Sequence, residues 1–334
     1  MDISFLDVLI TVLSLVLLAV PGFLLVKFKM LPEKASETLS VIVLYVAQTL
    51  LVVMAFQNKE YTPELGLNML YVAGITVFIH LFMFVLLRFI FIKKSVDDKV
   101  RVLKFASVFS NCGFMGFPFL QALFSGAILD ETLIYGAVIV SVFNIMTWTI
   151  GVFVITGDTK QISVKKIFLN PVIIGVIIGF LLFIILKKPV LSYMTYGSNG
   201  YKITEKIVSS LNKIADMVTP LSMIVIGIRL ANVKFKQLFL DKFAYLASFF
   251  KLVLFSFISI LAVAFLPIDS TVKYTVFFLL SMPSATNTVL FSVMFGKNSD
   301  FASVCVLLST LLSILTIPLM FMIFSGVFGV SISL

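Results

Sequence analysis

Apolar stretches of 20 residues or more recur along this chain with only short polar connections between them, at 5–26, 38–57, 65–92, 101–125, 132–156, 167–186, 206–230, 243–266, 271–295 and 301–324. A helix rises about 1.5 Å per residue, so roughly 20 apolar residues cross the hydrocarbon core of a bilayer. A soluble domain is about a quarter charged, whereas this chain is 12% charged and 60% hydrophobic. Its mean hydropathy is +1.16. No water-soluble fold hides that much apolar surface, and none of the connections is long enough to be a soluble domain. The predicted fold class is an all-α integral membrane protein of ten transmembrane helices. The amino terminus, Met1-Asp2-Ile3-Ser4, lacks the basic region of a signal peptide and runs into a stretch long enough to span. It reads as a retained first helix.

The net charge of +9 is carried by short loops between apolar runs, which is the positive-inside pattern of a membrane protein and not a nucleic-acid surface. Of the 25 basic residues, Lys59, Lys187, Lys188, Lys202, Lys206 and Lys273 fall in one set of alternate connections, and Lys213 and Lys251 fall within spans. The other 17 fall in the opposite set, which includes Arg229 and the cluster Arg88, Lys93, Lys94, Lys99, Arg101 and Lys104. That asymmetry predicts a multi-pass protein of the cell membrane with both termini extracytoplasmic. Cys112 and Cys305 both lie inside apolar segments without metal-ligand spacing and read as small buried residues.

Three local signals mark helix starts. Ser95-Val96-Asp97-Asp98 looks like a capping box opening the fourth span, Asp130-Glu131 opens the fifth in the same way, and Asn170-Pro171 puts proline in the first turn of the sixth. Five spans per half is an odd number, so a second half that repeats the first must enter the membrane upside down. The domain reading is a first five-helix repeat over 1–157, a cytoplasmic linker over 158–166 and a second repeat over 167–334. Gly22-Phe23-Leu24-Leu25 and Gly179-Phe180-Leu181-Leu182 stand at matching places in the two halves. Inverted repeats are a transporter architecture, with substrate near the midplane between them.

The fourth span of each half is interrupted. One contains Ser110-Asn111-Cys112-Gly113-Phe114-Met115-Gly116-Phe117-Pro118, where Gly113, Gly116 and Pro118 weaken a helix; the other contains Ser281-Met282-Pro283-Ser284-Ala285-Thr286-Asn287-Thr288. Irregular backbone at membrane depth is tolerated where it is buried in protein or lines a cavity. If the two breaks cross, the helix ends following Pro118 and Pro283 present free N–H groups and positive dipole ends toward one point, which would attract a carboxylate. Asn111 and Asn287 add amide donors, with Ser284, Thr288 and Gln121 as secondary candidates.

These strings, together with Thr219-Pro220-Leu221-Ser222-Met223-Ile224-Val225-Ile226-Gly227, resemble the bacterial branch of the auxin efflux carrier family, within the superfamily that includes the bile-acid carriers. The resemblance covers essentially the whole chain. It implies a ten-helix transporter with broken, crossing helices four and nine, and a small organic anion substrate such as auxin or malate-like carboxylates. It also implies an elevator-like motion of one subdomain against a scaffold, often within a homodimer. Two features depart from the family pattern: Tyr45-Val46-Ala47-Gln48-Thr49 lacks the proline expected near Thr49, and no proline follows Lys251-Leu252-Val253-Leu254-Phe255. Gln48 is a candidate to line the cavity instead.

Charges within spans are few. Lys213 and Asp216 are spaced to pair on one helix face, as a structural pair or a coupling site. Lys251 is within reach of the inner boundary and is expected to snorkel back to it, in preference to binding an anion. His80, the one histidine, is a packing residue or a proton relay. The sequence holds no P-loop, no Gly-x-Ser-x-Gly, no His-Glu-x-x-His and no Cys-x-x-Cys, so no cofactor, metal or enzymatic activity is expected and transport must draw on a gradient. A sodium-coupled carrier like the bile acid symporters is one rival, although no Asp or Glu lies near either break. A channel is the other, and would need rows of polar pore residues.

Overall fold

The computed structural model describes residues 3–32, 34–94, 97–232 and 235–328, and these are helical, with no strand beyond one isolated bridge between Ser110 and Ser284. Eight helices among them are long and apolar enough to cross a membrane. They are α1 (Phe5–Lys27), α2 (Ala35–Gln57), α3 (Pro63–Ile90), α6 (Gly126–Thr156), α7 (beginning at Pro171), α8 (Asn199–Ala231), α9 (Lys242–Ala264) and α12 (beginning at Ser299). Two further helical segments are each broken in the middle. One comprises α4 (Asp98–Val108) and α5 (Cys112–Leu123); the other comprises α10 (Ser270–Ser281) and α11 (Asn287–Met294).

Helix starts follow local chemistry. Asn170 caps α7 by accepting from the amides of Val172 and Ile173, with Pro171 in the first turn. The start of α4 differs from the expected capping box. Ser95 and Val96 lie outside the described residues, and Asp97 is the cap, accepting from the amides of Lys99 and Val100. Asp130 and Glu131 do not open α6, which begins at Gly126 after Ser125. They sit one turn inside it because partners from the α2–α3 connection hold them there: Asn58 Nδ2 donates to Asp130 Oδ1 at 3.3 Å, and Lys59 pairs with Glu131 at 2.7 Å.

Helices α2 and α9 lack the prolines discussed above, yet both widen into π-turns, at Val43–Ala47 and Phe250–Phe255. In α2 the Thr49 hydroxyl donates to the Leu44 carbonyl at 2.9 Å and satisfies an acceptor in the widened turn. A half-buried hydroxyl can take over the role of an absent proline.

Apolar side chains such as Leu6, Ile10 and Leu17 of α1 face outward, as a bilayer-facing surface requires, while Val8, Val12 and Leu15 pack inward. Helix α1 lies against the second part of α8, and α2 lies against α7. The α1–α8 contact depends on paired glycines, because a Cβ at Gly22 would collide with the Ile224 carbonyl oxygen and a Cβ at Gly227 with that of Ala19. A backbone clash cannot be relieved by a rotamer change. Gly227→Ala is therefore expected to destabilise the detergent-solubilised protein by about 1–3 kcal/mol, the cost of overpacking. Gly74→Ala, where a Cβ meets nothing within 4 Å, is the neutral control. Thermal unfolding of both variants checks this, and equal midpoints would remove the close-packing argument.

Candidate functional site

Helix α4 ends at Val108, and Phe109 turns into extended backbone with φ −97° and ψ 122°. On the other segment Met282 leaves α10 with φ −58° and ψ 151°. The two extended stretches run antiparallel and pair: the Asn111 amide donates to the Pro283 carbonyl, and the Ala285 amide to the Phe109 carbonyl, both at 2.8 Å. The breaks therefore meet, and their central polar groups satisfy one another in a two-bond ladder.

This corrects the expectation about the two prolines. Pro118 lies in the α-helical part of α5, beyond the π-turn Cys112–Gly116, where it is buried and marks no break. Pro283 lies within the crossing and spends its carbonyl on Asn111. The amides without an intrahelical acceptor are instead those opening α5 and α11, including Gly113, Phe114 and Asn287.

A cavity of about 440 Å³ opens onto those two helix starts. Asn111, Gly113 and Phe114 line it from one segment and Ala285, Thr286 and Asn287 from the other. Trp148, Phe143 and Phe291 supply aromatic wall. Asn144 and Asn170 form a linked amide pair at 3.0 Å. Gln48 also lines the cavity, its Oε1 buried without a partner. A Cβ at Gly113 would stand 2.7 Å from Gln48 Nε2, so glycine there lets this amide reach the crossing.

At one end of the cavity stand Glu37, Ser40 and Arg229. Arg229 Nη2 donates to Ser40 Oγ at 3.2 Å, and the guanidinium lies 6.0 Å from the Phe114 ring centroid. No carboxylate among the described residues forms an ion pair with it within 4.0 Å.

Of the candidate residues, Asn111, Gly113 and Asn287 line this cavity, whereas Gly116, Pro118, Gln121, Pro283, Ser284 and Thr288 do not. Gly116 packs against Leu279 of α10. Gln121 Oε1 accepts from the Thr219 hydroxyl at 2.6 Å, which ties α5 to α8. The Ser284 amide donates to Ser309 Oγ at 3.1 Å, and Thr288 is buried in the first turns of α11.

Lys213 and Asp216 are both exposed and form no ion pair with each other. The spacing argument assumed a continuous helix, but Asp216 is the cap where the first part of α8 stops at Ala215. His80 is fully buried between Phe109 and Phe255, with ring centroids 5.8 and 5.6 Å away. Its Nδ1 is 2.7 Å from the Thr76 carbonyl, which can only accept, so that nitrogen carries the proton. The opposite nitrogen, Nε2, has no partner.

Lys251 does not snorkel to the boundary. It is 0% exposed, and its amine donates to Ser110 Oγ at 2.5 Å and to the Leu280 carbonyl at 2.7 Å. Polar partners at the back of the crossing hold it inward. Arg229 and the Asn144–Asn170 pair went unrecognised in the sequence. Arg229 read as one more basic residue at a helix end, and the asparagines lie on different spans with no shared motif.

A family model described as membrane transport protein matches the chain twice, over residues 7–169 and 159–321. A search of curated proteins finds no match to the chain.

Proposed function

Because the chain belongs to the membrane transport protein family, the domain of the auxin efflux carriers, we propose that it is a secondary transporter of small organic anions that binds its substrate where the two broken segments meet. The observation that carries this reading is the cavity bounded by the starts of α5 and α11, with four asparagines and one arginine in its wall. Helix N-termini and amide donors stabilise negative charge, and the guanidinium adds a full positive one. A carboxylate is the common small-molecule anion that suits planar bidentate donors. Aromatic walls suit an apolar body attached to it.

The ten-span inverted repeat belongs to the same proposal. It is supported by eight long helices plus two broken segments, and by the match of one family model to each half. It is also supported by the pairing of α1 with α8 and of α2 with α7, since exchange of the two halves converts one pair into the other. In this reading α1, α2, α7 and α8 form the static part, and the remaining helices carry the crossing from one side of the membrane to the other in an elevator-type motion.

Uptake and counterflow in proteoliposomes across a panel of mono- and dicarboxylates tests it. Asn111→Ala and Asn287→Ala are each expected to lower the flux of the transported carboxylate about tenfold or more, the loss of one or two hydrogen bonds to a charged ligand. A flux that both substitutions leave unchanged removes the crossing as the site. External sodium is the added arm for the symporter alternative: flux that requires it would favour sodium coupling.

A further inference from the structure

A second cavity, of about 260 Å³, lies among α3, α4 and the end of α6, apart from the crossing. Arg88 from the last turn of α3 and Arg101 and Lys104 from α4 all line it, and no acidic residue is among its lining residues. Lys104 is only 9% exposed. Its amine lies 5.9 Å from the Phe91 ring centroid and has no hydrogen-bond or ion-pair partner among the described residues. The Arg101 guanidinium lies flat across Gly157, where a Cβ would stand 2.6 Å from both terminal nitrogens, and it donates to the Thr156 carbonyl. The remaining wall is apolar, with Phe84 and Phe153 prominent.

Three like charges facing one partly buried space repel one another, and holding Lys104 there unpaired is costly. The arrangement becomes favourable when an anion occupies the space. The rest of the wall is apolar, so the occupant it suits has a charged head and a hydrocarbon body. The three cations belong to the connections that the charge count assigns to the cytoplasm, where anionic lipids concentrate.

We infer that this cavity is a binding site for a phosphate group, supplied by the headgroup of an anionic phospholipid of the inner leaflet. The site is separate from the proposed substrate cavity, and its occupancy does not depend on what is transported. It adjoins the crossing through α4, because Val108, the last residue of that helix, also lines it. An occupied site would therefore brace the base of the segment that carries Asn111.

Thermal unfolding of the full-length protein in neutral detergent, titrated with three probes, tests the inference. Dioctanoyl-phosphatidylglycerol is expected to raise the midpoint, and dioctanoyl-phosphatidylcholine is expected not to. Inorganic phosphate at equal concentration distinguishes the source: a match to the phosphatidylglycerol effect keeps the phosphate site but removes the lipid, and a smaller effect favours the lipid. Lys104→Met and the exposed Arg88→Gln should each weaken phosphatidylglycerol about fivefold, and the double variant roughly 25-fold, from the contribution of one basic residue near a lipid anion. Lys29→Gln with Lys34→Gln, both exposed and away from the cavity, should leave the affinity unchanged. Equal stabilisation by the two lipids overturns the inference. So does unchanged affinity in both Arg88→Gln and Lys104→Met, and the surface variant Arg88→Gln keeps the test open if the buried one does not fold.

Discussion

Replacing Lys251 by methionine is expected to reduce transport by roughly 100-fold or more, although Lys251 lines no part of the proposed substrate cavity. The amine is fully buried in the π-turn of α9 and donates to one group on each side of the crossing, Ser110 Oγ at 2.5 Å and the Leu280 carbonyl at 2.7 Å. The Ser110 hydroxyl in turn donates to the same carbonyl at 2.9 Å, so three groups from three segments close a small network behind the two-bond ladder. Methionine keeps the length and most of the volume but donates nothing. A buried hydrogen bond contributes about 0.5–1.5 kcal/mol, an acceptor left unpaired costs about 1–3 kcal/mol, and two bonds are lost together. If the crossing loosens by even an ångström, the amides of α5 and α11 no longer converge on the cavity, and about 2.7 kcal/mol of lost stabilisation is the 100-fold effect. Arginine should not rescue, since a planar fork does not fit the space of a compact amine packed 3.7 Å over the Phe255 ring centroid. Counterflow with the carboxylate that the wild type carries, together with a thermal midpoint, measures both consequences. Wild-type flux in Lys251→Met would dismiss the pinning role.

What the sequence made legible divides along physical lines. Hydropathy is local, so the spans could be bounded to within a few residues for α1, α2, α3 and α9. Helix breakers are local too, and they pointed to the segments around Asn111 and Asn287. They did not locate the break itself, because Pro118 sits in the first turn of the α-helical part of α5, after the π-turn Cys112–Gly116, and need not stand where α4 stops. Nor did they show that the freed amides of Asn111 and Ala285 would be spent on the Pro283 and Phe109 carbonyls of the opposite segment, a pairing that joins residues far apart in the chain. The π-turns of α2 and α9 carry no proline or glycine signal at all, and Thr49 closes one of them from its own side chain. Lys251 was misjudged for the same reason. Snorkelling is the default for a lone lysine in a span, and only the distant partners Ser110 and Leu280 reverse it.

Arg229→Gln is expected to raise the KM for the transported carboxylate about 10- to 100-fold, the largest affinity change of any single substitution in the cavity wall. Arg229 is the one cation among the cavity's lining residues and Glu37 the one acid. The guanidinium uses one donor on Ser40 Oγ and stands over the edge of the crossing near Phe114, leaving further donors of its fork for a ligand. It sits in the last turn of α8, where the negative end of the helix dipole favours a cation. A guanidinium in a membrane cavity with no ion-paired carboxylate is costly until an anion arrives, and that cost is what a carboxylate substrate recovers on binding. Glutamine retains a hydrogen-bond donor but loses both charge and fork, a deficit of about 1.5–3 kcal/mol for a charge-assisted pair. Lysine should recover part of the affinity as a point charge without the bidentate geometry. Glu37→Gln supplies the opposite sign: removing the competing negative charge should tighten the carboxylate by a few fold, more at low ionic strength than at high. The electrostatic origin is separable from a packing defect by comparing each carboxylate with its uncharged methyl ester in thermal-shift titrations. The wild type should discriminate between them and Arg229→Gln should not. Should Arg229→Gln keep the wild-type KM and the wild-type preference for acid over ester, the anion is held by the helix starts of α5 and α11 alone.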